Sequence, residues 1–399
     1  MGGETLLEDG PRVLSIYEGF FSGGARALHT SLVRGLEATT GQQHSVVSLT
    51  HRSRREATQQ MARDDASYRR LRAAGVPVTL LRRTSEQPWR ARNLSTLTRL
   101  VSVADVVLAL KEQPLAALAR IGTVGAPVIT CLHRSDPEHQ GPALEHLVSL
   151  VDLGVVTQAV CCAHSTQAAY HAATGIPLAQ LPVVPNGVDL HRFRPSARDR
   201  AEVRRGLGVD GEAPVVLLSA RFDPMKDVPL FLRSAAIFAR TRPDAHVVLC
   251  GAGMSIANPA LTTMLAETLH GWDAADSRVH LLGIREDMPR LYNGADVVAL
   301  SSAYGEAAPL ALLEGMACGA VPVTTDVGDA ARIVADSRLV AARDPRAIAE
   351  AWTAAFEQRE EHAERIQRRR QGLSDERCFD AYAALIAGHA ETGPLSVAV

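Results

Sequence analysis

Short runs of β-branched and apolar residues alternate with longer amphipathic runs along almost the whole chain, and this alternation most constrains its fold. The first half offers strand candidates at Val13–Tyr17, Ser45–Leu49, Val76–Leu81, Val106–Leu110, Val128–Leu132, Val155–Cys161 and Leu181–Val184. A second series follows at Val215–Ala220, His246–Cys250, Val279–Leu282, Val297–Ser301 and Val321–Thr324. Helical patterns such as Ala25–Thr39, Leu94–Ala104, Val228–Arg240, Pro259–Leu269 and Pro309–Cys318 lie between them. Continuous apolar runs belong to strands covered on both faces. Strand–helix alternation gives parallel sheets with right-handed crossovers. Twelve strand candidates are too many for one ordinary doubly wound sheet. The expected class is therefore α/β, with two doubly wound Rossmann-like domains facing each other across a cleft. Ligands of such sheets bind beyond the carboxyl ends of the strands, so two ligand edges would share one cleft. That geometry suits moving a group from one bound molecule to another.

A polar, charged stretch without strand signal, Asp189–Pro214, marks the boundary, with a short helix expected at Ala197–Gly206. The expected division is a flexible extension at 1–11, a first domain at 12–188, a connection at 189–212 and a second domain at 213–372. Residues 373–399 are expected to carry a helix that packs back toward the first domain. The pattern at Pro345–Arg370 reads as one long helix and Asp375–His389 as another. The opening MGGETLLEDGPR has no basic segment followed by an apolar core, unlike a secretory signal. Apolar runs such as Val106–Leu110 fall far short of the roughly 18 residues of a membrane span. The six cysteines show neither CxxC nor metal-ligand spacing. These features suggest a cytoplasmic, disulfide-free protein. A net charge of −2 with 22% charged residues excludes histone-like and strongly acidic disordered classes. Of 42 basic residues only Lys111 and Lys226 are lysine. Codon usage explains the scarcity, but not why those two positions keep lysine.

Several strand-end turns carry chemistry. Gly23-Gly24 opens a helix after the first strand, where paired glycines let backbone N–H groups approach an anion, although a tight turn alone would explain them. The turn is not GxGxxG, and no acid ends the second strand, which disfavours a nicotinamide dinucleotide enzyme. Arg221 and Lys226, five residues apart on one loop, can converge on a pyrophosphate, the guanidinium forking onto oxygens and the ammonium acting as a point charge. Gly251 and Gly253, after the next strand, allow a ligand to approach closely. Gly283-Ile284-Arg285 is a further strand-end turn. Most specific is the run from Tyr304 to Ala317. Glu306 stands at a strand-to-helix turn, and Pro309 suits the first helical turn. N–H groups near Leu310 would point at an anion. Glu314 lies two turns into an apolar helix, where a carboxylate is costly unless satisfied. Vicinal ribose hydroxyls would satisfy it, as would a buried arginine.

Glu306-x7-Glu314, the Arg221-x4-Lys226 loop, the Pro185-Asn186-Gly187-Val188-Asp189 run and the Gly23-Gly24 turn together resemble retaining GT-B glycosyltransferases of glycosyltransferase family 4 (glycosyl transferases group 1). The likeness runs from about residue 12 to 390, and Thr325–Ala331 is similar to members acting on bacterial polysaccharides or secondary metabolites. It implies an acceptor-side first domain and a second domain that binds a nucleoside-diphosphate sugar. Arg221 and Lys226 would hold the diphosphate, Glu314 the ribose, and Glu306 the hydroxyls of the transferred sugar. Gly251 and Gly253 would line the nucleotide site, and Ile284 would lie beside the base. Ala308, Pro309 and Leu310 would meet the donor, with Gly23 and Gly24 approaching from the first domain. His133 matches a cleft histidine that contacts the sugar. Ala308 stands where an aromatic residue is common, and Pro309 removes one N–H donor. Arg134 stands where an acid is common. Lys111 and Arg134 are acceptor-side candidates. Neither a cofactor nor a metal is expected, since no Asp-x-Asp accompanies the motifs.

Residues 51–99 hold 12 arginines against Glu56, Asp64, Asp65 and Glu86. Such a patch could meet an anionic membrane at its inner face, or be an ordinary arginine-rich surface. Nucleic acid is not expected, because only Tyr68 and Trp89 interleave. Competing readings are a pseudo-glycosyltransferase or sugar-nucleotide epimerase on the same fold, and a non-catalytic nucleotide-sugar-binding protein.

Overall fold

A computed structural model describes residues 10–21, 23–55, 58–269, 278–391 and 397–398. Ser22, Glu56, residues 1–9 of the expected extension and residues 392–396 and 399 lie outside the described residues.

Among the described residues, twelve strands form two six-stranded sheets, and two short two-stranded pairings lie outside them. The first comprises β1 (Arg12–Tyr17), β2 (Gln43–Ser48), β3 (Val78–Leu80), β4 (Val106–Leu110), β5 (Val128–Leu132) and β6 (Val156–Cys161). The second comprises β7 (Val215–Ser219), β8 (His246–Cys250), β9 (Val279–Leu281), β10 (Val297–Leu300), β11 (Val321–Thr325) and β12 (Val340–Ala341). Their orders are β3-β2-β1-β4-β5-β6 and β9-β8-β7-β10-β11-β12, and every pairing within them is parallel. The same doubly wound order therefore occurs twice, and the chain is α/β with two Rossmann-like domains. Each sheet has a switch point, between β1 and β4 and between β7 and β10, where connections leave toward opposite edges and a crevice opens. The strands β4, β5, β8, β10 and β11 are buried at every residue, and β4 and β10 are apolar throughout, as strands covered on both faces are.

Helices α1 (Gly24–Thr40), α2 (Ala66–Ala73) and α4 (Leu310–Ala317) line the cleft, while α3 (Val228–Thr241) and α5 (Glu376–Ala390) pack behind it. The last one crosses back to the first domain. Cys378, Tyr382 and Ile386 of α5 pack with Val13, Leu32, Leu36, Val106, Leu108 and Ile129. One face of the first sheet is thus covered by the end of the chain.

Some sequence expectations change. Leu181–Val184 is not a strand; it makes a single bridge, Val183 to Cys161. Pro182 and Pro185 supply no N–H, so the pairing stops at Cys161 N–H to Pro182 O (2.8 Å) and Val184 N–H to Cys161 O (2.9 Å). The pattern at 345–370 breaks at Gln358 into helices Pro345–Glu357 and Arg359–Arg369. The first half buries Ile348, Ala349, Trp352, Ala355 and Phe356, whereas the charged second half buries only His362 and Ile366. An unforeseen hairpin, Arg52–Arg55 with Thr58–Met61, occupies the arginine-rich stretch. All six cysteines are free and buried.

The chain passes between the domains twice, at 187–189 and 373–375, and the two passages are hydrogen-bonded to each other. Val188 N–H donates to Leu373 O (2.8 Å), and Asp375 N–H donates to Val188 O (3.2 Å). Gly187 allows this. A β-carbon there would lie 2.4 Å from both Asp375 Cα and Ser374 O, which are backbone and cannot rotate away. Burial, then the nearby Asp189 charge, pushes the Asp375 carboxyl up to about 6. Gly187→Ala should lower stability by about 1–3 kcal/mol through overpacking, measured by urea unfolding. An unchanged midpoint would remove the close crossing from this account.

Candidate active site

The loop after β7 is held from both ends. Asp227, at φ 45, caps α3 by accepting from Leu230 N–H (3.1 Å), and Asp223 caps the turn Pro224–Lys226 by accepting from Met225 N–H (2.9 Å). The adjacent loop after β10 reinforces it: Ala303 N–H donates to Met225 O (2.8 Å) and Ser301 Oγ donates to Lys226 O (2.9 Å). Arg221 and Lys226 are thereby fixed on the cleft wall. Arg221 pairs with Asp223 at 2.8 Å. Burial would push the Asp223 carboxyl up, but the Met225 N–H and the charges of Arg221, Lys226 and Arg134 hold it below its ordinary value. Lys226 Nζ donates to Glu306 Oε1, which also accepts from Ser302 Oγ (2.6 Å). Glu306 is only 5% exposed, so its charge is tolerable only with these partners.

Pro309 is the residue before α4 rather than part of its first turn, with ψ 115; the helix starts at Leu310. The N–H groups of Leu310 and Ala311 therefore stand at the positive end of the helix, in the cleft wall. Glu314 follows one turn later and accepts from the Tyr292 hydroxyl (2.9 Å). Burial pushes its carboxyl up to about 7, against the pull of the Tyr292 hydrogen bond and of the Arg192 and Arg70 charges.

The first domain contributes the opposite wall. Gly23 precedes α1, and a β-carbon on Gly24 would lie 3.4 Å from Leu310 Cδ1, so the glycine turn sits directly over the start of α4. Lys111 follows β4 at φ 70, a conformation rare outside glycine, and its N–H bonds Cys131 O (3.0 Å). His133 follows β5. Burial, reinforced by the Lys111 charge, pushes its imidazole down to about 3, and its Nε2 has no hydrogen-bond partner. It is a neutral ring presenting an unsatisfied nitrogen at the cleft wall. Arg134 turns its guanidinium onto the buried Asp136, with Nε 2.6 Å from Oδ1.

Polar contacts cross between the domains around one loop. Ser135 Oγ donates to Glu306 O, and Asn186 Nδ2 donates to Ala308 O (2.9 Å). Asp329 accepts from the His164 and Ser165 N–H groups at 3.0 and 2.9 Å, capping a helix of the other domain. Cys162 and Ala163 pack on Ala307 and Ala308 between them.

A cavity of about 360 Å³ lies between these walls. It gathers Gly23, Gly24, Lys111, His133, Arg134, Arg221, Lys226, Gly251, Ile284, Glu306, Ala308, Pro309, Leu310 and Glu314. Gly253 is not among them. A β-carbon there, at φ 78, would lie 2.8 Å from Phe222 Cβ, so the glycine allows this turn to pack against the loop after β7. Gly251, at φ 136, is needed because Ala220 O would lie 2.0 Å from a β-carbon. A larger cavity of about 870 Å³ opens near Asp296, Arg200 and Cys318, toward the amino ends of β10 and β11, away from all of these residues. The sequence reading missed Arg26, Arg70, Asn186, Arg192, Arg285 and Tyr292, all in the cleft wall. Asn186 and Arg285 lay inside quoted motifs. The other arginines are hidden in a chain where arginine is everywhere, and the arginine-rich stretch itself divides: Arg70 faces the cleft, Arg83 is buried beneath Trp89, and Arg52, Arg54, Arg63, Arg72 and Arg82 are exposed.

Comparison with known proteins bears on the fold and on the second domain. Residues 199–372 match the family Glycosyl transferases group 1. The D-inositol 3-phosphate glycosyltransferase of Mycobacterium sp. (strain KMS) is 37% identical over 153 residues, 37% of this chain and 32% of that protein. Its namesake in Geodermatophilus obscurus is 35% identical over 219 residues, 52% of this chain and 47% of that protein. The chain thus spans about a third to a half of the length of these relatives. Among solved structures, Anabaena Alr3699/HepE in complex with UDP-glucose superposes with a TM-score of 0.75 at 20% identity, covering 96% of this chain and 100% of that one. WaaG, a glycosyltransferase involved in lipopolysaccharide biosynthesis, gives 0.68 at 15% identity over 94% and 100%.

The Glu314 carboxyl, followed by carboxyl-carbon NMR and assigned by its loss in Glu314→Gln, should titrate near pH 7, protonated at pH 6 and ionised at pH 8. Tyr292→Phe removes a donor to the ionised form, so the midpoint should rise. An ordinary carboxylate midpoint in the native protein would refute the environment described. The fold is that of the GT-B glycosyltransferases, and its second domain carries the match to glycosyl transferases group 1.

Proposed function

We propose that the protein is a retaining glycosyltransferase of the family 4 type, moving a sugar from a nucleoside-diphosphate sugar to a hydroxyl acceptor in polysaccharide, glycolipid or secondary-metabolite synthesis. The observation that carries this reading is the convergence of Arg221, Lys226, Glu306 and the start of α4 on one cleft wall, facing His133 and the glycine turn of the other domain. The relatives named D-inositol 3-phosphate glycosyltransferase support the reaction class, and the neighbour crystallised with UDP-glucose supports the donor class.

In this reading the diphosphate lies against Arg221, Lys226 and the first N–H groups of α4. Negative charge grows on the β-phosphate as the bond to the sugar breaks, and these groups are already oriented toward it. Each such donor is typically worth about 3 kcal/mol. They supply the positive potential that a divalent ion supplies elsewhere, so the proposed reaction is metal-independent. Glu314 accepts from the ribose hydroxyls, and Glu306 from those of the transferred sugar. His133, being neutral, can accept from a sugar hydroxyl through Nε2. The acceptor oxygen attacks the anomeric carbon on the face the leaving group departs from, and its proton passes to a phosphate oxygen. Lys111 and Arg134 stand on the acceptor side.

The same reading places the protein at the inner face of the membrane, with the exposed arginines of 51–99 meeting anionic lipid. Vesicles containing phosphatidylglycerol should sediment the protein at low salt and release it at high salt; failure to sediment at low salt rejects this contact. The reaction itself is tested by screening nucleotide sugars by thermal shift, then analysing products with candidate acceptors by mass spectrometry. Transfer to an acceptor separates this reading from epimerase and binding-only alternatives. Lys226→Ala should lower the rate at least about a hundredfold with the fold intact, and near-normal turnover would sink the assignment.

A further inference from the structure

The nucleoside end of the cleft contains a cation that no part of the protein uses. Helix α2 of the first domain reaches across to the loop after β9, where Arg69 pairs with Glu286. The next residue, Arg70, lines the cleft beside Arg192, Arg285, Tyr292, Leu310 and Glu314. Its guanidinium is half-buried, yet among the described residues it makes no hydrogen bond and no ion pair. A guanidinium that lines a cleft without a carboxylate or carbonyl partner keeps its donors available to an anion. Burial, then the like charges of Arg192 and Arg34, pull the Arg70 guanidinium below its ordinary value. The acids opposite offer partial relief. Glu286 is already held by Arg69, and Glu314 is half protonated at neutral pH.

We infer that Arg70 is a donor-binding residue that the first domain supplies to the nucleotide, contacting its α-phosphate. This rests on the reading of the cleft as a nucleoside-diphosphate-sugar site. On that reading the donor runs from the base beside Ile284, through the ribose at Glu314, to the β-phosphate and sugar at Arg221, Lys226 and Glu306. The anionic group next to the ribose is the α-phosphate, and Arg70 with Arg192 is the cationic pair beside Glu314. Guanidinium–phosphate contacts are charge-assisted and often bidentate. The donor site is then complete only when the domains are closed, since one of its phosphate contacts belongs to the acceptor-side domain.

Isothermal titration with three ligand series separates the phosphates: uridine, UMP and UDP; guanosine, GMP and GDP; adenosine, AMP and ADP. In whichever series the native protein binds, Arg70→Ala should weaken the monophosphate and the diphosphate alike, by about ten- to a hundredfold, and leave the nucleoside unchanged. Lys226→Ala should instead weaken the diphosphate and spare the monophosphate. Arg72→Ala, exposed on the same helix, should change none of them. Arg70→Gln keeps most of the side-chain volume and serves if the alanine variant melts early. Unchanged monophosphate binding in both Arg70 variants, or equal weakening of the nucleoside, overturns the inference and leaves the reading of the site standing. A native protein that binds none of the three diphosphates overturns that reading and the inference with it.

Discussion

One loop collects several of the hydrogen bonds that hold the two domains together. Between β10 and α4 the chain turns through Glu306, and this turn receives Ser135 and Asn186 from the first half of the molecule. Asp329 extends the same contact by accepting two backbone N–H groups at the start of a helix in the other domain. Each bond spans more than a hundred residues of sequence and joins separately built sheets. The residue whose main chain is gripped is also the one whose side chain holds Lys226. Closure of the cleft and orientation of its charges are therefore one event, set by one turn.

Most of the charge in the cleft is paired, Arg70 being the exception among the described residues. Lys226 sits on Glu306, Arg221 on Asp223, Arg134 on Asp136 and Arg69 on Glu286. Two buried groups respond by losing charge: His133 is neutral, and Glu314 lies near its midpoint at physiological pH. Pairing of this kind keeps cations desolvated and oriented before any ligand arrives, which is how fixed dipoles and charges act on developing negative charge without reorganising.

Much of the architecture was legible in the sequence because parallel strands buried on both faces must be apolar throughout, and such runs are hard to mistake. The misreading at Leu181–Val184 has the same origin: the run is apolar, but its flanking prolines withhold the donors a ladder needs. Lys226 stood out because the chain has only one other lysine. Arg70 and Arg192 could not stand out for the converse reason, being two among 40 arginines, and only burial distinguishes them from exposed neighbours such as Arg72. The role of Gly187 was legible as part of a motif but not as a steric necessity, since the backbone it makes room for lies almost 190 residues away. The Asp329 cap left no local signal, because the helix it caps is in the other domain.

The paired passages at 187–189 and 373–375 make the second domain an insertion within the first. The chain leaves the first domain, completes the second sheet, and returns to lay α5 against the sheet it started from. A domain hung on one strand can swivel and tilt in any direction. One hung on two strands that are hydrogen-bonded side by side resists twisting and shear, and is left with a single soft bending axis across the pair. Such a mounting lets the second domain swing open and return to the same register against His133 and the glycine turn, and it means that the two halves cannot be exchanged between proteins by cutting the chain once.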